Sequence, residues 1–191
     1  VSVEKLGLYV VAVSLAERLR MLPDAISSAF LSRLANEFDA RRGQVPMVFR
    51  CTLLLMLAGF FVVGLLGIPA IPLLFGREFT HAVPSFLILL PGIALLGGDS
   101  VLCSALMALG KPKYAMWTSW LALLLNVGAN LALIPILGIA GAAVASTIAY
   151  AASAVVMAWC YLHEVRLPAS VFVPTTADFR FGARPWEMKA A

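Results

Sequence analysis

The sequence is poor in charged residues. Only 13% of its 191 residues are Asp, Glu, Lys or Arg, whereas 62% are hydrophobic, and the mean hydropathy is +0.95. A soluble domain of this size carries roughly 25% charged residues, so the composition excludes an ordinary soluble domain. The apolar runs are also too long for a β-barrel, whose strands alternate about every ten residues. We therefore predict an all-α integral membrane protein, a polytopic bundle of transmembrane helices.

The sequence also lacks the patterns of most catalytic and metal sites. Its three cysteines stand singly in apolar sequence and form no CxxC pair, and its two histidines, His81 and His163, are isolated. We find no P-loop, nucleophile elbow or zinc spacing. The net charge of +4 is spread along the loops, so nucleic acid is not an expected partner. We predict a protein that is not an enzyme, with no cofactor and no metal, in which ATP bound by this chain does not drive function.

Five apolar segments predict membrane-crossing helices. They are residues 6–34, 51–76, 82–109, 114–137 and 139–163. The last two share a charge-free run from Tyr114 to Leu162, with a turn between Pro135 and Gly141. The first segment is the weakest by hydropathy, and a shorter interfacial helix is the alternative. In the third segment Pro91 and the pair Gly97-Gly98 predict a bent or broken helix.

The basic residues predict the orientation of the spans. If the first segment starts outside, ten Lys and Arg residues lie in the loop after it, in the Lys111 turn and in the tail, against two on the other side. Basic residues collect on the cytoplasmic side. We therefore predict five spans with the N-terminus outside and the C-terminus inside, and a loosely ordered cytoplasmic tail over 164–191.

Four charged residues, Glu17, Arg18, Arg20 and Asp24, fall in the interior of the first segment. Arg20 lies three residues after Glu17 and four before Asp24, so on a continuous helix the three would form one ladder. The ladder is interpreted as a bracing ion-pair network, as part of a cavity that binds substrate or carries a proton, or as an interfacial group. Arg18 has no carboxylate at these spacings. It either meets a partner on another helix or is free to bind an anion.

Uncharged polar residues and one further carboxylate occur in the later segments. Asn126 and Asn130 are four residues apart, so they share a helix face that we expect to look at protein or water. They are interpreted as hydrogen-bonding residues between helices or as cavity-lining sugar contacts. Ser146 and Tyr150 lie on a face of small residues where another helix can approach closely. Asp99, which follows two glycines, is interpreted as a cap at a helix break or as a protonatable coupling site.

Four sequence blocks carry a resemblance to a known family. They are GLYVVAVSLAERLRMLPDAIS from Gly7, LLFGREFTHAVP around Gly76, ALGKPKYA from Ala108 and NVGANLALIPILGIAGAAVAST from Asn126. In this order, over about residues 4–163, they resemble the bacterial polysaccharide (O-antigen) flippases. These belong to the multidrug/oligosaccharidyl-lipid/polysaccharide exporter superfamily.

The resemblance implies the C-terminal half of a two-bundle transporter that works by alternating access. Its function would be to move a polyprenyl-diphosphate-linked oligosaccharide across the bacterial inner membrane. The partners would be that lipid-linked oligosaccharide, membrane lipids, glycan polymerase machinery and an N-terminal bundle of the same protein, which we expect to precede Val1. An ion-coupled multidrug exporter and a membrane scaffold for glycan-assembly enzymes are the alternatives. The candidate cavity-lining residues are Glu17, Arg18, Arg20, Asp24, Asn126 and Asn130.

Overall fold

A computed structural model of the protein describes residues 3–36 and 42–173, and these residues form helices with no strand among them. The helices are α1 (Val3–Glu17), α2 (Met21–Asn36), α3 (Val45–Phe75), α4 (Val83–Ala108), α5 (Lys113–Leu137) and α6 (Ile139–Val165). Short 3-10 turns cover Arg18–Arg20, Arg42–Gln44, Arg77–Ala82 and Ala169–Phe172. The predicted all-α class is confirmed.

Helices α3 to α6 are each long and apolar enough to cross a membrane. In the part of the chain that the structure describes, four helices are therefore candidate membrane spans. The sequence predicted five. Helix α5 ends at Leu137 and α6 begins at Ile139. The turn between them is at Gly138, whose φ of 61° is a left-handed conformation that glycine adopts without a steric penalty.

The first segment differs from its prediction. Residues 6–34 are not one continuous helix, because α1 ends at Glu17 and α2 begins at Met21, with a 3-10 turn of three residues between them. Pro23 gives the physical reason. It has no N–H to donate to the carbonyl of Leu19, so an unbroken α-helix would lose a bond there, whereas the first turn of a new helix accepts proline.

The third predicted span differs in the opposite way, because no break interrupts its helix. Helix α4 runs without interruption through Pro91 and through the Gly97-Gly98 pair, so Asp99 is inside a helix and is not a cap at its end. The two glycines serve packing instead. Gly97 faces the side chain of Met56 on α3, and Gly98 faces the ring of Phe49. The absence of a side chain lets neighbouring helices approach α4 closely.

The buried apolar side chains form two clusters along the bundle. The first contains Ala12, Ala16, Leu19, Met56, Phe86, Ala94 and Ala143, and the second contains Phe30, Phe49, Val101, Met157 and Tyr161, among others. Along α4 the first cluster ends at Ala94 and the second begins at Val101. Asp99 and Ser100 therefore lie between the two clusters, about 24 Å along α4 from its start at a rise of 1.5 Å per residue.

The chain after α6 folds back onto α3. Arg166 ends α6 in a left-handed conformation with φ of 57°. The ring of Phe172 then lies 4.3 Å from that of Phe49, centroid to centroid, and Arg50 donates a hydrogen bond to the carbonyl of Val171. The tail 164–191 was predicted to be loosely ordered, but its residues up to Val173 pack on the bundle. The remainder, 174–191, is outside the described residues.

We predict that Gly92→Ala destabilises the bundle. A Cβ at this position would lie 2.9 Å from the Cα of Thr147 and 3.3 Å from its Cβ, so backbone and not only a flexible side chain would have to move. Overpacking of this kind costs about 1–3 kcal/mol. The measurement is the thermal unfolding midpoint of the full-length protein in detergent. Gly128→Ala is the matched control, because nothing lies within 4 Å of its added Cβ. Equal midpoints for the two variants would contradict the close contact of α4 with α6.

Candidate functional site

Polar side chains from six parts of the chain follow one another along the bundle. We call this set the polar seam. It consists of Asn130 and Asn126 on α5, Ser146, Tyr150 and Ser153 on α6, Tyr9 and Glu17 on α1, Arg20 in the first 3-10 turn, Asp24 on α2, and Asp99 and Ser100 on α4. Polar groups within membrane-spanning segments are costly unless they are partnered or face a cavity, so a set that spans so many helices is the natural candidate for the functional site.

One end of the polar seam is a chain of hydrogen bonds. The Nδ2 of Asn130 donates to Oδ1 of Asn126 at 2.8 Å, and the Nδ2 of Asn126 donates to the Oγ of Ser146 at 3.1 Å. The hydroxyl of Tyr9 lies 3.4 Å from the same Oγ. The two asparagines therefore look at α1 and α6, and each such bond contributes about 1 kcal/mol or less within a membrane.

The same residues line a cavity. It has a volume of about 430 Å³ and is bordered by Tyr9, Asn126, Asn130, Ala142 and Ser146, and by Gly138 and Ile139 at the turn between α5 and α6. The Oδ1 of Asn130 is buried and accepts no hydrogen bond from the described residues. A buried acceptor without a donor costs free energy. It could accept a hydrogen bond from a bound group in the cavity.

A second, larger cavity opens beside the first. Its volume is about 850 Å³, and it shares Gly138 and Ile139 with the smaller one. The side chains of Glu78 and His81, from the 3-10 turn before α4, border it. Among the described residues no cluster of three His, Cys, Asp or Glu side chains could hold a metal ion.

The middle of the polar seam contains the charged residues. Tyr150 packs against the first apolar cluster, which also contains Leu19, the residue before Arg20. The structure thus brings the first segment, α4 and α6 together beside Arg20.

Two serines bind the carboxylates of this region. The Oγ of Ser153 on α6 donates to Oδ1 of Asp99 at 3.4 Å, and the Oγ of Ser100 on α4 donates to Oδ1 of Asp24 at 3.2 Å. These bonds tie α4 to α6 and α4 to α2. Neither serine was predicted, because a single serine in an apolar helix gives no sequence signal of its partner.

The predicted ladder is not formed. In the described part of the chain no ion pair joins Arg20 to Glu17 or to Asp24. The ladder required one continuous helix from Glu17 to Asp24, and the 3-10 turn at Arg18–Arg20 changes the angular spacing of the side chains. Glu17 and Asp24 are exposed, and Arg20 is partly buried.

Arg18 is placed differently from Arg20. Its side chain is exposed, and it makes no hydrogen bond or ion pair with the described residues. Leu19, between the two arginines, is buried in the first apolar cluster. A guanidinium in this position has all its donors available, and its planar geometry suits paired hydrogen bonds to phosphate oxygens.

An ion pair that the sequence did not predict joins two helix ends. The Nζ of Lys111 lies 2.7 Å from Oε1 of Glu164, and the hydroxyl of Tyr114 donates to Oε2 of the same carboxylate at 2.8 Å. The hydrogen bond to Glu164, together with the charge of that carboxylate, raises the pKa of Lys111 above its ordinary value. The trio connects the turn between α4 and α5 to the end of α6.

Residues 10–177 match a protein family described as lipid II flippase MurJ. A comparison with curated proteins finds no match. A solved structure titled "Lipid II flippase MurJ, inward closed conformation" superposes on the chain with a TM-score of 0.68 at 17% sequence identity. The alignment covers 84% of this chain and 37% of that one, so the chain spans little more than a third of that protein's length. At this identity the likeness shows the fold alone.

We predict that Glu164→Gln lowers the pKa of Lys111, because the carboxylate stabilises the charged ammonium. In the unsubstituted protein the pair stabilises the folded state while Lys111 is protonated and Glu164 is ionised, and Lys111 also lowers the pKa of Glu164. On the acidic side the contribution is lost as the pH falls through that lowered pKa. On the alkaline side it is lost as the pH rises through the raised pKa of Lys111 in the folded protein. The measurement is a titration of isotope-labelled lysine by NMR in detergent micelles. Glu78→Gln is the control, since this carboxylate belongs to a different turn, and a Lys111 that titrates alike in both variants would rule out the pairing.

Proposed function

The chain belongs to the MurJ family of lipid flippases, and from this premise we propose that the protein moves a polyprenyl-diphosphate-linked glycan precursor across the membrane. Flippases are transporters and not enzymes. We infer the substrate class from two observations: the matching family is one of lipid II flippases, and the sequence resembles the O-antigen flippases, which predicts a lipid-linked oligosaccharide. Both substrates carry a diphosphate between a polyprenyl chain and a sugar, so both need a cationic group on the protein.

The exposed guanidinium of Arg18 is the observation that carries this proposal. It lies in the interrupted first segment and has no carboxylate partner among the described residues. An uncompensated cation at membrane depth is expensive, so it is expected to meet an anion during function. The diphosphate of a lipid-linked sugar is such an anion, and guanidinium binds phosphate oxygens with two parallel hydrogen bonds. Glu17 and Asp24, both exposed nearby in sequence, would border the same polar surface.

We propose that Asn126 and Asn130 face the sugar of the substrate. Their amides border the cavity of about 430 Å³, and the unpaired Oδ1 of Asn130 offers an acceptor to a donor group such as a hydroxyl. In this proposal the asparagines hold α5 against α6 and line the polar path. The bond from Asn126 to Ser146 supports the first of these roles directly.

The proposed mechanism is alternating access by rocking of helical bundles. The helices offer the places at which such motion could bend them. The first segment is interrupted at Arg18–Arg20, α3 contains Pro69 and Pro72, and α5 contains Pro135. Proline in a helix interior removes a backbone hydrogen bond and commonly marks a kink.

We also propose a multi-pass protein of the bacterial inner membrane with its C-terminal end in the cytoplasm. Lys111 lies against Glu164 at the end of α6, and Arg50 bonds to the segment after α6. These basic residues therefore lie at one end of the bundle. The positive-inside rule would put that end in the cytoplasm.

The proposed function is tested by replacing a known flippase with the full-length protein. It would be produced in two strains, one depleted of its lipid II flippase and one lacking its O-antigen flippase. The expected result is that the substrate reaches the outer leaflet in one of them, and the rescued strain identifies the glycan. If the properly inserted protein leaves both substrates in the inner leaflet, the proposed function is wrong and a scaffold role takes its place.

We predict that Arg18→Gln lowers transport roughly tenfold or more. The loss of a hydrogen bond to a charged partner costs about 1.5–3 kcal/mol. Arg18→Lys keeps the charge but not the bidentate geometry, so its transport should lie between the two. The measurement is the rate of substrate exposure at the outer leaflet, normalised to the amount of inserted protein. Arg77→Gln is the matched control, because it removes one exposed cation from the end of α3. Equal losses in the two variants would argue against a specific anion site.

A further inference from the structure

The proposed function assigns no role in transport to residues 166–173, which we call the strap. The strap turns back from α6 at Arg166, whose φ of 57° is left-handed, and the N–H of Leu167 donates to the carbonyl of Leu162. An arginine is uncommon in this conformation, because its Cβ approaches the following carbonyl oxygen. Contacts further along the strap must therefore hold the reversal in place.

Phe172 anchors the strap between two helices. Its ring lies 4.3 Å from that of Phe49 on α3 and 6.2 Å from that of Tyr161 on α6, centroid to centroid. Both of these partners are buried in the second apolar cluster. Arg50, the neighbour of Phe49, donates a hydrogen bond to the carbonyl of Val171, the neighbour of Phe172. An aromatic contact and a hydrogen bond thus join the strap to the start of α3.

The strap connects two helices that both pack along α4. It runs from the end of α6 directly to the start of α3. Just before the strap, Glu164 binds the ammonium of Lys111 and the hydroxyl of Tyr114, which join α6 to the turn before α5 and to α5 itself. At this end of the bundle, which we call the Lys111 end, α6 is therefore joined to both α3 and α5 by side-chain contacts.

The opposite end, which we call the Gly138 end, is built differently. The turn after α3 and the turn at Gly138 border one cavity, so both lie at this end. The interior prolines of α3, α4 and α5 all lie in the half of their helix nearer this end; they are Pro69, Pro72, Pro91 and Pro135. Proline removes a helical hydrogen bond and commonly marks a kink. The positions at which these helices bend most easily are therefore away from the Lys111 end.

We propose that the strap and Glu164 lock the Lys111 end into one rigid unit, so that movement of the bundle is confined to the Gly138 end. The lock is a property of the contacts and does not depend on the proposed function. The statement about movement rests on the proposed function, since it concerns the rocking that transport requires. In this arrangement Phe172 is the residue whose removal releases α3 from α6.

The lock is tested by hydrogen exchange of the full-length protein in detergent, followed by mass spectrometry. Phe172→Ala is expected to speed exchange roughly tenfold or more, both in the strap and in residues 49–53 of α3, because local opening no longer breaks the aromatic contact. Exchange at the Gly138 end should not change. Phe172→Leu keeps an apolar side chain in the same place, so its exchange should lie between the two.

Phe75→Ala is the matched control. It removes a ring of the same size, which lies 5.7 Å from that of Phe79 at the Gly138 end. The control should leave exchange in the strap and in residues 49–53 unchanged. If Phe172→Ala and Phe172→Leu speed exchange in the strap alone, the strap does not hold α3 and the proposal is wrong.

Cross-linking tests whether the Lys111 end stays rigid during transport. In a full-length protein whose native cysteines are replaced by alanine, one bifunctional thiol reagent would join Lys111→Cys to Glu164→Cys. In a second variant it would join His81→Cys to Leu137→Cys, which border the same cavity at the Gly138 end. The first cross-link is expected to leave transport unchanged, and the second to abolish it.

The outcomes separate this inference from the proposed function. Loss of transport on joining residues 111 and 164 would show that the Lys111 end moves, which overturns the proposal. Normal transport with both cross-links would show that movement is not confined to the Gly138 end, with the same consequence. If the protein transports nothing even before cross-linking, while exchange responds to Phe172→Ala as expected, the lock stands and the proposed function fails.

Discussion

The cost of a charge in hydrocarbon governs the arrangement of this bundle. The run from Tyr114 to Leu162 carries no charge, and helices α5 and α6 occupy it. The charged residues of the first segment instead lie around the 3-10 turn between α1 and α2. They form a polar region beside α4 and α6, where two serines bind the carboxylates of Asp24 and Asp99. Each partner reduces the free energy that the polar groups would otherwise cost.

Close helix packing makes this polar region possible. Gly97 and Gly98 let α2 and α3 approach α4, since Pro23, Met56 and Phe49 occupy the space that a Cβ would take. The same glycines precede Asp99, so the carboxylate is carried on a stretch of α4 that α2 and α3 approach closely. The packing and the electrostatics of the site therefore depend on the same few residues.

The sequence predicted the features that depend on long stretches of residues, and it missed features that depend on a few residues. Sustained apolar runs predicted the all-α membrane bundle, and that class is confirmed. The resemblance placed the chain in the correct flippase superfamily, while the match to the MurJ family does not single out the O-antigen flippases. The break at Arg18–Arg20 was missed although Pro23 signals it, because the apolar period continues across it. Helix α4 was expected to be bent or broken around Pro91 and Gly97-Gly98, and it runs through them without a break.

For the side chains of the candidate site, too, the sequence predicted some arrangements and missed others. Spacing on a helix correctly put Asn126 and Asn130 on one face, and their amides bond to each other. Spacing failed for Glu17, Arg20 and Asp24, because the ladder assumed a helix that the 3-10 turn interrupts. The partners of polar residues, such as Ser153 for Asp99, come from segments far along the chain, and no local pattern encodes them. A site assembled in this way responds as a unit, since a shift of α4 relative to the first segment changes the surroundings of both arginines at once. In the proposed function, a rocking motion of the bundle would act on these surroundings and connect the break in the first segment to the binding of an anion.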